Sequence, residues 1–346
     1  LLTISWPEMN RRDFLDKGLK ALLAIGVLDI NQRDELVIGH GDFRYTIDVN
    51  WGALNPEFFP VQDCHEMVFD RLGRLILLTN HTRNNVLIYD RSGKLLDHWG
   101  TTYPGAHGLT LKDEGGEEFL YLTDTVRHEV IKTTLDGREV MTLPYPRAME
   151  AYSSANTYLP TETAIADNGD IYVADGYGMQ YILQYNSRGE LLRYFGGRGE
   201  GDGQFLNAHG ICIDNRSGRE ELLITARQMN ALKRFSMDGK HQQTIPLPGC
   251  YICRPVVHTD SVYLATIWSG NGSARTGFLS ILDRSNHLVS APGGATPRYE
   301  EGSLRKMYQA IQVFQHPHDV CVDADENLYV AQWNAGGTYP LKLNRV

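Results

Sequence analysis

From Leu36 onward the chain reads as short apolar runs of four to six residues separated by polar turns. Six runs are the clearest: Leu75-Ile-Leu-Leu78, Phe119-Leu-Tyr-Leu122, Ile171-Tyr-Val-Ala174, Leu222-Leu-Ile-Thr225, Val262-Tyr-Leu-Ala265 and Leu328-Tyr-Val-Ala331. Runs this short, rich in β-branched and aromatic residues, predict strands. Between them recur turns of one type: Tyr89-Asp-Arg-Ser-Gly93, Thr134-Leu-Asp-Gly137, Tyr185-Asn-Ser-Arg-Gly189, Ser236-Met-Asp-Gly239 and, imperfectly, Leu282-Asp-Arg-Ser-Asn286. Gly and Asn supply the positive φ that tight hairpins need. The pattern predicts an all-β fold.

The six runs begin at Leu75, Phe119, Ile171, Leu222, Val262 and Leu328, a spacing of roughly 40 to 66 residues that fits four-stranded propeller blades. The prediction is therefore a six-bladed β-propeller over residues 34–346. The last unit has only three strands before Val346, and an extended stretch near residues 36–49 is expected to supply its fourth. Such closure leaves no open edge between first and last blades. The charged stretch 299–312 is expected to be a loop or a short helix.

Composition narrows the function classes. Thirty-three basic and 42 acidic residues give a net charge of −9, which offers no footprint for nucleic acid. No run of 18 apolar residues is present, so no ordinary membrane span is expected. Five cysteines show no zinc-ribbon spacing. Cys250 and Cys253 form a lone C-x-x-C, better read as a disulfide or two unrelated thiols. Residues 1–33 differ from the rest. Arg11-Arg12-Asp13-Phe14-Leu15 before the modest apolar run Ala21 to Leu28 resembles a twin-arginine (Tat) export signal. Export is the expectation, and an amphipathic surface helix from Arg12 to Val27 is the alternative.

Aligning the units by their second strands places His65, His107, Thr161, His209, Cys253 and His318 where each innermost strand enters the central channel. His107, His209 and His318 then fall on alternate blades and converge. A lone histidine at such a place is usually turn chemistry, with Gly108 and Gly210 taking unusual backbone angles. Three at matched places point to a metal: three imidazoles plus an open position suit catalytic zinc, with Zn–N near 2.0–2.1 Å. His65 is an additional candidate, as a fourth ligand, as a hydrogen-bond donor behind a ligand or as a proton carrier. Calcium is the alternative cation, but it prefers oxygen donors. Gly196 to Gly203 is not a nucleotide loop, since a strand follows it.

The units resemble NHL repeats, and Gly199-Glu-Gly-Asp-Gly-Gln-Phe205 is similar to that family's Gly-rich lead into a blade. Residues 160–239 and 313–331 resemble the core of the peptidyl-α-hydroxyglycine α-amidating lyases. The resemblance implies a six-bladed propeller, a zinc ion on His107, His209 and His318, and cleavage of a C–N bond to release an amide and glyoxylate. Tyr172-Val-Ala-Asp-Gly-Tyr177 is similar to the segment carrying the family's catalytic tyrosine, which implies that role for Tyr177. Thr225-Ala226-Arg227 is similar to a segment carrying an active-site arginine, which implies Arg227. Arg83 is the weak counterpart of a second arginine in blade one, and the oxygenase domain that makes the hydroxyglycine has no counterpart. Two other classes stay open: a propeller lactonase or hydrolase using a divalent metal, and a non-catalytic NHL-repeat scaffold presenting one face, with the loop 265–275 around Trp268, to a protein partner.

Overall fold

A computed structural model describes residues 36–346. The segment 1–33, with its proposed export signal, lies outside the described residues. Within 38–346 the chain forms six sheets in sequence order, plus one small hairpin. Blade one spans 64–99, blade two 106–144, blade three 162–196, blade four 208–246 and blade five 250–290, each with four antiparallel strands. Blade six joins Pro317–Val322, Leu328–Gln332 and Leu341–Arg345 to strands from the beginning of the propeller. The architecture is the all-β six-bladed propeller that the strand periodicity predicts.

Closure follows the same prediction with one addition. Phe43–Asp48 pairs antiparallel with Leu341–Arg345, from Tyr45 opposite Arg345 to Asp48 opposite Lys342. A further short strand, Ile38–His40, folds back on Phe43–Asp48, so blade six has five strands. The hairpin arises because Gly39 and Gly41 both take positive φ, 97° and 57°, which a continuous strand does not accommodate. The stretch 299–312 contains no helix; it holds the hairpin Tyr299–Glu300 with Ser303–Leu304. Among the described residues no helix is long and apolar enough to cross a membrane.

The second strand of each blade is buried on both faces, as in Leu75–Thr79 and Ile171–Ala174, whereas outermost strands such as Leu95–Trp99 are largely exposed. This is why the second strands carry unbroken apolar runs and the fourth strands do not. Apolar side chains from facing blades interdigitate; Tyr263, Ala265 and Leu279 of blade five pack with Val320 and Val330 of blade six.

At the channel mouth five of the six innermost strands share an irregularity that blade three lacks. Register shifts lie between Cys64 and Glu66, Ala106 and Leu109, Ala208 and Ile211, Ile252 and Pro255, and Pro317 and Asp319. Each shift encloses the residue expected to enter the channel. A bulge bends its strand and re-aims one side chain, here toward the axis. Gly108 and Gly210 do not take positive φ; their reason is close approach. A Cβ on Gly108 would lie 2.5 Å from the Thr161 carbonyl oxygen, and one on Gly210 would lie 2.5 Å from Cα of Arg254. Each His-Gly pair thus puts an imidazole in the channel and lets the next blade pack against the backbone behind it.

Candidate active site

His107, His209 and His318 meet as a near-equilateral triangle, with ring centroids 4.9 Å apart on each side. All three are buried. His65 stands beside them, 4.7 Å from His107 and 4.8 Å from His318.

Main-chain carbonyls fix two of the rings. Nδ1–H of His107 donates to the Thr161 carbonyl at 2.8 Å, and Nδ1–H of His318 donates to the His65 carbonyl at 3.0 Å. A carbonyl can only accept, so each ring carries its proton on Nδ1 and turns a lone pair on Nε2 inward. Nε2 of His318 is buried with no hydrogen-bond partner. An orphaned buried nitrogen calls for an explanation, and a tautomer pinned by a carbonyl is the usual arrangement behind a metal-binding imidazole. The donor set therefore fits a borderline-soft divalent ion. Two overlapping groups have ligand atoms within 4.8 Å of one another, His65 with His107 and His318, and His209 with Cys253 and His318; the expected trio of His107, His209 and His318 is divided between them.

Tyr177 closes one side of the triangle. Its hydroxyl lies 3.1 Å from Nε2 of His107 and 3.0 Å from Nε2 of His209. The residue is 41% exposed, but the hydroxyl end is lodged between two buried rings. The tight turn after Ile171–Ala174 aims it there. Asp175 accepts backbone N–H bonds from Leu159 at 2.7 Å and Met179 at 2.5 Å, and a hydroxyl bond from Tyr152 at 2.8 Å. A Cβ on Gly176 would lie 2.2 Å from the Ala208 carbonyl oxygen, so blade three can approach blade four only with glycine there.

Arg227 follows the strand Glu221–Ala226 in a short 3-10 turn and is buried. Its Nη2 donates to Sγ of Cys253 at 2.9 Å and its Nε to the Ile252 carbonyl at 3.3 Å. The five cysteines are free, so Cys250 and Cys253 are unrelated thiols rather than a disulfide. A cavity of about 250 Å³ opens above the triangle, lined by Tyr177, Asn207, Arg227, Trp268, His318 and Trp333. Trp268 from the stretch 265–275 thus faces this cavity. Arg83 does not line it; it is exposed and donates to the Glu57 carbonyl at 3.1 Å. The buried arginine that the sequence reading misses is Arg254, directly after Cys253.

The electrostatics follow from burial and crowding. Burial, then the charge of neighbouring rings and Arg227, holds His107, His209 and His318 well below the usual histidine range. His65 is lowered to about 3 by burial and then Arg227. All four rings are neutral near pH 7. Burial raises Tyr177 above its ordinary value, while Arg227 opposes the rise. A tyrosine that acts as a base near neutral pH needs a lowered pKa, and the protein surroundings alone do not supply it.

These shifts predict how the metal-free protein responds to acid. Below about pH 6.5 the unfolded chain takes up protons on these histidines that the folded chain refuses, so stability falls as pH drops. The slope approaches about 1.4 kcal/mol per pH unit for each such ring. Thermal melts of metal-free protein at pH 7 and pH 5 should show a clear drop in Tm; equal values would mean that the rings are not buried neutral.

No family model matches the chain. Peptidyl-alpha-hydroxyglycine alpha-amidating lyase 1 of Drosophila melanogaster is 37% identical over 269 residues, 73% of this chain and 47% of that protein. A probable peptidyl-alpha-hydroxyglycine alpha-amidating lyase of Caenorhabditis elegans is 30% identical over 129 residues, 37% of this chain and 34% of that protein. The matched stretch spans less than half the length of these relatives. Among solved structures, a streptogramin B lyase superposes with a TM-score of 0.56 at 14% identity, covering 83% of this chain and 94% of that one, a likeness of fold alone.

Proposed function

Because the chain is a six-bladed β-propeller related to the peptidyl-α-hydroxyglycine α-amidating lyases, we propose that it is a zinc-dependent lyase acting at a carbon that bears a hydroxyl and a leaving nitrogen. The observation that carries this reading is the Tyr177 hydroxyl, set at 3.1 and 3.0 Å from the Nε2 atoms of His107 and His209, in the same cavity as Arg227 and the unpartnered Nε2 of His318.

His107, His209 and His318 would hold the ion, with His65 fixing His318 through its main-chain carbonyl. When bound, zinc would supply Lewis acidity and the positive charge that lowers the neighbouring Tyr177 hydroxyl toward its phenolate, which the protein surroundings alone do not. Tyr177, as phenolate, takes the proton from the substrate hydroxyl. The carbon–oxygen double bond forms, the C–N bond breaks, and the electron pair leaves on nitrogen. The nitrogen takes up the proton that Tyr177 then carries, so the tyrosine ends as it began. Arg227 favours the phenolate by its charge, and its planar fork suits a carboxylate on the carbon that becomes the aldehyde. Trp268 and Trp333 give the cavity an apolar wall for the remainder of the substrate.

A lactonase centred on calcium is less well supported, because the mouth presents imidazole nitrogens where that hard ion prefers oxygens. The Arg11-Arg12 stretch extends the proposal to an exported enzyme. The test is a peptidyl-α-hydroxyglycine incubated with zinc-loaded protein. One glyoxylate per amide is expected. A zinc-loaded protein that releases none would discard the substrate class.

A further inference from the structure

One position along each innermost strand from the channel mouth, the chain places Glu66, Gly108, Glu162, Gly210, Arg254 and Asp319. This layer lies directly behind the imidazoles, and a single cation organises it. Arg254 is 8% exposed and Asp319 fully buried. Nε and Nη2 of Arg254 bond the two Asp319 oxygens at 3.0 and 2.9 Å, a two-point fork. Nη1 donates to the Leu109 carbonyl at 2.9 Å and Nη2 to the Met67 carbonyl at 2.9 Å. Carboxylate oxygens of Glu66 and Glu162 stand 3.7 and 3.9 Å away. The side chain of blade five therefore reaches blades one, two, three and six, and blade four packs Gly210 against its Cα.

The partners are the immediate neighbours of the rings. Asp319 follows His318, Leu109 lies two residues after His107, and Met67 lies two after His65. Glu162 follows Thr161, whose carbonyl pins His107. We propose that Arg254 is a positioning residue: its guanidinium clasps the innermost strands from beneath and so holds His107 and His318 in the orientations that direct their Nε2 atoms to one point. A buried cluster of three carboxylates has no other cation among these contacts, and an ion pair of this kind is better suited to fixing one arrangement than to adding net stability. Lysine would not substitute, because a point charge cannot make the two-point contact with Asp319 and reach both carbonyls. The consequence for metal affinity rests on the proposed function, but the orientation of the rings does not.

The test reads the rings themselves in metal-free protein by long-range ¹H–¹⁵N NMR of the imidazoles, together with zinc affinity. Wild-type protein should show His107 and His318 as single Nδ1–H tautomers. Arg254→Ala should mix the tautomers and weaken zinc about 10- to 100-fold, the scale for loss of an outer-shell partner. Arg254 also lines the floor of a cavity of about 500 Å³ that opens at the opposite mouth of the channel, so added guanidinium can enter. Millimolar guanidinium should restore both signals in Arg254→Ala. Arg254→Ala with wild-type tautomers and zinc affinity would overturn the proposal. Should that variant not fold, Arg254→Lys decides by the same two readouts: mixed tautomers support the clasp and unchanged ones overturn it. Wild-type protein that binds no zinc would remove the metal reading and leave the tautomer comparison to judge Arg254.

Discussion

Tyr177→Phe lowers turnover of a peptidyl-α-hydroxyglycine by about 10²- to 10⁴-fold, the range for loss of a positioned acid–base group, while zinc content stays at the wild-type value. The change removes one oxygen and keeps the ring, so the packing of the turn around Asp175 and Gly176 persists. What disappears is the hydroxyl between Nε2 of His107 and Nε2 of His209. The effect should fall on kcat rather than KM, because a proton transfer made only in the transition state contributes nothing to ground-state binding. Steady-state kinetics with a glyoxylate readout check this. A kcat within a few-fold of wild type would assign the proton transfer elsewhere.

His318→Ala abolishes metal loading in practice, weakening zinc by at least about 100-fold, close to 2.7 kcal/mol, and activity falls with it. The ring supplies the one Nε2 of the triangle that has no partner within the protein. Its Nδ1–H bond to the His65 carbonyl spends its proton and leaves the other nitrogen committed to the channel. His65→Ala is the informative contrast. It removes a neighbouring ring but keeps the main-chain carbonyl that orients His318, so zinc affinity should stay near wild type. Competition titration with a chromophoric chelator measures both. Equal losses in the two variants would make His65 a ligand in its own right.

Much of this arrangement is legible in the sequence because propeller blades repeat. The six apolar runs mark the second strands, and counting back from them finds His107, His209 and His318 at matched places on alternate blades. The residues that escape such reading depend on contacts between blades. The bulges that aim the histidines form only when each innermost strand pairs with its neighbour. Gly108 and Gly210 look like turn glycines, yet they are small because Thr161 and Arg254 approach from the next blade. Arg254 carries no motif; its partners come from four other blades and share nothing in sequence except their distance from the channel mouth. Tyr177 is found by resemblance, whereas its contact with two rings follows from Gly176 meeting the Ala208 carbonyl. The hairpin Ile38–His40 with Phe43–Asp48 reads as one strand because Gly39 and Gly41 are the only local sign of the reversal.

Anomalous scattering at the zinc edge, from crystals of protein loaded with one equivalent of zinc, locates the ion directly. The predicted result is a single peak bonded to Nε2 of His107, His209 and His318, next to the Tyr177 hydroxyl. A peak bonded to Cys253, a peak on His65 in place of His209, or no peak at the channel mouth would contradict it.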